Sequence, residues 1–230
     1  MSAAEDANAL FARANTDYAA GKFSNAVAGY ESLIKAGRWN SSVFYDLGNA
    51  YFRENDLGRA ILNYERALAL DPAQPEAQAN LQLARDRARA LELNASWAEQ
   101  HLDLLTRDQY TWLAAIAFWA AVAIGMGLNF SKRRPIVWTF ALILLGVIAA
   151  GAAAAAYQLE NGRSGKDLAI IVRKNITARL ATAESAGAVL FLPPGSEIKI
   201  LSTRGSWDYA ALPNDQKGWI PNGSAEKVRL

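Results

Sequence analysis

The sequence predicts a multidomain membrane protein in three parts: α-helical repeats, a transmembrane helical hairpin and a C-terminal all-β barrel. Three observations carry that prediction. The N-terminal part superposes on itself when shifted by 34 positions. Two long stretches, Gln109 to Ser131 and Pro135 to Leu159, contain no charged residue. After Arg163 the spacing of apolar residues changes from helical to short β-rich runs separated by turn residues.

Composition bounds the chemistry. The chain has 230 residues, a formal net charge of +2 and 52% hydrophobic residues. These averages hide a segregation, because the charges lie before Asp108 and after Leu159 and are almost absent between. A near-neutral chain without a basic stripe gives no reason to expect nucleic acid as a partner. With no cysteine, disulfides, thiolate nucleophiles and cysteine metal sites are excluded.

The repeats are expected over residues 7–93. The shift places Asn15 on Asn49, Tyr18 on Phe52, Phe23 on Leu57, Ala26 on Ala60 and Tyr30 on Tyr64. Small residues (Ala14 or Gly48, Ala26 or Ala60, Ala67) let paired helices approach, while Tyr30, Tyr51 and Tyr64 fill the space between pairs. Gly21 and Asn55 fall where each repeat must turn, and both tolerate a left-handed backbone. Asp71-Pro72 ends one helix and Pro75 starts the next. A third helix from Pro75 to about Leu93, with Leu81, Ala84, Ala88 and Leu91 inside and Arg85, Asp86, Arg87 and Arg89 outside, is expected to cap the stack.

This pattern resembles the tetratricopeptide repeat. The resemblance implies a concave surface lined by the first helix of each repeat, here Phe11, Asn15, Tyr18, Tyr45, Asn49, Phe52 and Arg53. Asparagine donates and accepts together, which suits the backbone of an extended peptide, and the aromatic neighbours supply contact area. The same residues would equally serve to pack the inner face. The carboxylate-gripping variant of the family has a lysine four residues before Asn15, where this chain has Phe11.

Residues 94–108 carry Trp97, His101, Leu104 and Leu105 on one face, a stripe suited to a helix on a membrane surface. His101 is the only histidine, so a metal or triad role has no partners. Residues 109–131 and 135–159 each exceed the ~20 apolar residues that cross a bilayer. Thr106-Arg107-Asp108-Gln109 has capping-box spacing. Tyr110, Trp112 and Tyr157 would lie at one interface, Phe130 and Trp138 at the other. Gly146, Ala150, Gly151 and Ala152 to Ala156 give the second span a smooth face for the first span or for a partner span. Lys132, Arg133 and Arg134 place the 131–135 loop in the cytoplasm, and hence both flanking domains in the periplasm of a bacterial inner membrane. Export of the N-terminal domain would require a signal, which the sequence as it begins does not display, so the expectation is that either a signal has been removed or the hairpin is inverted.

Residues 165–230 are expected to form strands at Leu168 to Val172, Thr177 to Leu180, Val189 to Leu192, Ile198 to Leu201, Trp207 to Ala211, Gly218 to Ile220 and Lys227 to Leu230. Turns at Pro193-Pro194-Gly195, Arg204-Gly205-Ser206 and Pro213-Asn214-Asp215 separate them. Many short strands indicate a small barrel. Thr177-Ala178-Arg179, Leu192-Pro193-Pro194-Gly195-Ser196, Gly205-Ser206-Trp207 and Gly218-Trp219-Ile220 resemble the bacterial SH3-like family. Tyr209 and Trp219 would form a groove for an extended peptide or a wall fragment.

The full order of modules resembles the BatE-type proteins of the Bat aerotolerance group, most tellingly from Leu47 through Leu68. That resemblance implies a membrane complex with von Willebrand A-type Bat proteins and a MoxR-type ATPase, connected with envelope or oxidative stress. No Ser/His/Asp set, phosphate loop, metal cluster or paired carboxylates emerges from the spacing. The expectation is a scaffold with no cofactor, not an enzyme, and in a second version a peptidoglycan-binding envelope protein.

Overall fold

The computed structural model describes residues 3–94, 105–130, 136–161 and 165–229. Five helices come first: α1 (Ala3–Ala19), α2 (Phe23–Lys35), α3 (Ser41–Arg53), α4 (Leu57–Leu70) and α5 (Pro75–Ala88). They pair as two antiparallel repeats followed by a capping helix. Gly21 and Asn55 turn the pairs at φ +75° and +62°, as their positions require. Asn40 caps α3 by accepting from the Val43 amide, and Asp56 caps α4 by accepting from that of Arg59. Ala14, Ala26, Ala60 and Ala67 are buried. A Cβ on Gly48 would lie 2.7 Å from the Tyr64 ring, so glycine is what lets that tyrosine fill the pair.

The capping helix is shorter than its apolar spacing predicts. It stops at Ala88, because Arg89 turns left-handed at φ 53°. Leu91 is therefore not on the helix. Residues 91–93 instead run along the C-terminal sheet, where the Leu91 amide donates to Ser196 Oγ and the Leu93 amide to Glu197 Oε2. The Glu197 amide in turn donates to the Leu91 carbonyl at 2.8 Å. Bonds from a distant segment satisfy the backbone that a longer helix would have satisfied locally.

The C-terminal part is a seven-stranded antiparallel sheet in the order β3-β2-β6-β5-β4-β1-β7. Its strands are β1 (Leu168–Ile171), β2 (Ile176–Arg179), β3 (Ala188–Leu192), β4 (Glu197–Arg204), β5 (Trp207–Ala211), β6 (Lys217–Pro221) and β7 (Ala225–Lys227). The last strand precedes its expected position, since Ala225 to Lys227 pair with Ile171 to Ala169. The sheet is open, with β3 and β7 at its edges. Bulges at Ala178/Arg179 and Ile200/Ser202 interrupt the register and bend the strands. Its core gathers Ala169, Ile171, Ile176, Ala178, Leu192, Ile198, Ala210, Leu212 and Ile220.

Repeats and sheet belong to one compact unit, Met1–Asn94 with Lys166–Leu230. β1 is buried on both faces. Ala169 and Ile171 face the sheet core, while Leu168, Ile170, Val172 and Val228 join Ile61, Leu62, Leu81 and Leu93 in the core of the repeats. The approach is close, since a Cβ on Gly58 would lie 2.8 Å from the Ile171 carbonyl oxygen and one on Gly195 2.2 Å from Ile61 Cδ1. A buried ion cluster accompanies it. Arg85, expected on a solvated face, is bound by Glu65, by Glu197 at 2.5 Å and by Glu92 at 3.7 Å. Arg66 reaches from α4 to the Lys227 carbonyl at 2.9 Å and to Glu226 at 3.5 Å.

The second unit, Ala95–Gly165, contains α6 (Arg107–Phe130) and α7 (Ile136–Asn161). Both are long and apolar enough to cross a membrane, and only 6% of each apolar window is buried, so neither is a core helix. The capping box forms in both directions: the Gln109 amide donates to Thr106 Oγ1, and the Thr106 amide to Gln109 Oε1. The two helices pack through Tyr110, Ala114, Ala152, Ala155, Ala156 and Leu159, and Arg107 pairs with Glu160 at 2.6 Å at their end. The alanine run therefore meets the first helix, whereas Gly146 and Gly151 look into open space. Tyr110 packs inside the pair, while Trp112 and Tyr157 are exposed. Trp97, His101, Leu104 and the basic loop residues Lys132, Arg133 and Arg134 lie outside the described residues.

Candidate functional site

The residues expected on a concave face lie on α1 and α3, and α5 packs beside α3. Each repeat orients one asparagine with one tyrosine from its second helix. Tyr30 Oη donates to Asn15 Oδ1 at 2.6 Å, and Tyr64 Oη to Asn49 Oδ1 at 2.8 Å. Both pairs are fifteen residues apart, so the bond repeats with the 34-residue period. Turning each oxygen inward commits the acceptor and leaves the amide N–H donors of Asn15 and Asn49 without a partner among the described residues. Burial raises the ionisation of Tyr30 and Tyr64 far above the ordinary tyrosine range, so both hydroxyls remain donors.

The other predicted residues divide into two groups. Phe11, Tyr18 and Tyr45 are half-buried around the asparagines, with Phe11 6.0 Å from the Tyr30 ring and Tyr45 6.1 Å from that of Tyr64. Phe52 and Arg53 are already engaged. The Arg87 guanidinium lies 5.3 Å from the Phe52 ring centre, and that of Arg53 lies 4.5 Å from the Phe23 ring centre. Phe23 also meets Tyr18 edge-on at 5.4 Å. Beyond Phe11 a cleft of about 530 Å³ continues past Asn8, Arg38, Trp39 and Ser42.

Two polar residues of this face escape a search for matched positions, because the repeats differ there. Asn80 on α5 donates through Nδ2 to Asn49 Oδ1 at 2.9 Å and to Tyr45 Oη at 3.2 Å. One period earlier stands Asp46, half-buried, with its carboxyl raised to about 6 by burial. Shifting Asp46 by 34 positions lands on Asn80, and that was the available signal.

On the sheet, Tyr209 and Trp219 are directly cross-strand on β5 and β6, with ring centres 4.8 Å apart. Trp219 pairs with Arg179 on β2, and Tyr209 with Ser202 on β4. Four strands thus present the row Arg179, Trp219, Tyr209, Ser202 on the side away from the sheet core. Arg179 is anchored by donating to the Ala186 carbonyl at 2.8 Å. Among the described residues, no group of three or more His, Cys, Asp or Glu is placed to hold a metal ion.

Residues 48–84, from the middle of α3 through most of α5, match the family model of the TPR repeat. No curated protein matches the chain. Period, helix pairing and family model agree that the N-terminal segment is a tetratricopeptide-type array of helical repeats.

Proposed function

We propose that this protein is a membrane-anchored scaffold, not an enzyme, whose repeats and SH3-like sheet hold partner proteins on one side of a bacterial inner membrane. The observation that carries this reading is the repeated asparagine–tyrosine bond, Tyr30 to Asn15 and Tyr64 to Asn49. It commits each asparagine oxygen and leaves the N–H donors for the carbonyls of an extended segment. Tetratricopeptide repeats as a class bind proteins, and the order of modules favours a Bat/MoxR-type envelope or oxidative-stress complex. The test is co-purification of partners from membranes with the Tyr18→Ala, Asn49→Ala double variant. Partners should be lost while the protein remains folded and membrane-bound. Unchanged co-purification would remove the concave face from the account.

The membrane reading gains support from the split unit. Segments on either side of α6 and α7 share one core, so both must lie on the same side of any bilayer that the two helices cross. An even number of spans meets that condition, and the basic 131–135 loop favours the periplasm for the shared unit. The absence of native cysteine makes this testable by single cysteines at Ser41 and Asp215 with an impermeant maleimide. Both should label in spheroplasts, and protection of both until lysis would invert the hairpin.

The aromatic row favours a second reading, in which the sheet grips peptidoglycan. The whole chain is the reagent to use, because an isolated sheet would expose Leu168, Ile170 and Val228. Full-length protein in detergent should pellet with purified sacculi and lose that property in Trp219→Ala. Failure of the unaltered protein to pellet would sink this version.

A further inference from the structure

Asp46 does no bonding work inside the fold, although its repeat equivalent does. Asn80 donates through its side-chain amide to Asn49 Oδ1 and to Tyr45 Oη, tying the capping helix to the repeat before it. One 34-residue period earlier, Asp46 takes the place of Asn80 in the sequence, with Asn15 and Phe11 in place of Asn49 and Tyr45. An ionised carboxylate has no proton to donate. Asn15 Oδ1 accordingly takes only the Tyr30 hydroxyl, and Asp46 has neither a hydrogen bond nor an ion pair among the described residues.

Among the described residues no counter-charge accompanies Asp46. Burial alone raises the Asp46 carboxyl to about 6. Its charge acts on the Tyr30 hydroxyl of α2, and Tyr18 on α1 acts in turn on Tyr30 and on Tyr64 of α4. Among the described residues no cationic side chain pairs with Asp46, and the guanidinium groups of Arg53 and Arg87 lie over Phe23 and Phe52. The face therefore offers a carboxylate and two asparagine amide donors without a partner among the described residues, together with aromatic side chains. Aromatic faces and a half-buried carboxylate both favour a cation. An apolar or acidic occupant would cover the half-buried carboxylate and leave it unpaired, which is costly.

We propose that the concave face recognises the cationic side chain of a lysine or arginine in an extended segment of a partner protein. Asp46 is the counter-charge, and Asn15 and Asn49 hold the segment's backbone carbonyls. This inference rests on the reading that the repeats bind protein partners, and it adds the chemistry of what they select.

The test uses the full-length protein in lipid nanodiscs with ¹⁵N-labelled asparagine. It is titrated with acetyl-Ala-Ala-Lys-Ala-Ala-amide, with the glutamine and glutamate counterparts, and with n-butylammonium. The lysine peptide should shift the Asn15 and Asn49 side-chain amides and bind at least ~10-fold more tightly than the glutamine peptide, with glutamate weakest. Asp46→Asn, near-isosteric and checked by thermal unfolding, should make lysine and glutamine equal, and Asp46→Ser serves if that variant does not fold. Equal binding of lysine and glutamine by the unaltered protein, or a lysine preference that survives loss of Asp46, would overturn the assignment while leaving the repeats a binding face. n-Butylammonium binding as tightly as the lysine peptide would overturn the protein segment as occupant. If none of the peptides moves either amide, the binding face itself falls.

Discussion

Glu197 tests whether repeats and sheet are one cooperative body. Its side chain is 2% exposed, bonded to Arg85 at 2.5 Å, and accepts from the Leu93 amide at 3.0 Å. Glu197→Ala removes both bonds. Breaking a buried ion pair by deleting one partner costs about 3–5 kcal/mol. Here Arg85 keeps Glu65 and Glu92, which places the loss toward the lower end, while the stranded Leu93 amide adds about 1 kcal/mol. A total near 3–4 kcal/mol corresponds to about two to three powers of ten in an opening equilibrium, at ~1.4 kcal/mol per tenfold. Hydrogen exchange of the full-length protein in detergent reads this directly. Slow amides of α3 and α4 should accelerate by the same factor as those of β1 and β4, although Glu197 lies on the sheet. Faster exchange in the strands with no change in the helices would refute the shared-core argument, because it would mean that the sheet opens alone.

Three further outcomes follow from particular contacts. Gly195→Ala combines a left-handed backbone with a Cβ 2.2 Å from Ile61 Cδ1 and should cost about 2–4 kcal/mol, whereas Gly205→Ala, left-handed but in open space, should cost only about 1 kcal/mol. Equal urea midpoints for these two variants would dismiss the Ile61 contact. Asp46 has a carboxyl raised from 3.8 to about 6, so the folded state holds its proton longer than the unfolded state, and the stability this supplies fades as pH rises from about 4 through about 6. Full conversion of the shift would be roughly 3 kcal/mol, which solvent screening of a half-buried group reduces to about 1 kcal/mol. Asp46→Asn should therefore be about 1 kcal/mol more stable than the unaltered protein at pH 7.5, with the gap narrowing toward pH 4.5, and urea unfolding at both pH values gives the answer. Ala155→Leu should push the buried face of α7 off Tyr110 and lower resistance to SDS, while Ala154→Leu, on an exposed position, should leave it unchanged.

Much of this protein is written in local patterns. A 34-residue period, turn residues at Gly21 and Asn55, and proline at Pro75 specify helices whose stabilising contacts lie within one or two turns or one repeat. Capping chemistry at Thr106 to Gln109 and unbroken apolar runs do the same for α6 and α7, and alternation bounded by turn residues does so for most strands. The matched bonds of Asn15 to Tyr30 and of Asn49 to Tyr64 were legible for that reason, since a repeat displays the same demand twice. Asp46 and Asn80 were not, because their meaning lies in a mismatch between repeats. Even β1 left a trace, as Leu168 to Val172 is apolar without alternation, which is how a strand buried on both faces reads.

Only the tertiary structure decided that the two ends of the chain share a core. Glu197 meets Arg85 across 112 positions, and Leu93 across 104, with the whole apolar pair between them. No periodicity spans such a gap, and a lone glutamate at the start of a strand reads as solvated until its partner is in place. The end of α5 at Ala88 has the same origin: its helical spacing continues to Leu91, but the amides of Leu91 and Leu93 find acceptors on the sheet. Local sequence determines which elements form, because their bonds are short-range. Long-range burial of charge and backbone determines where they stop and which of them pack together.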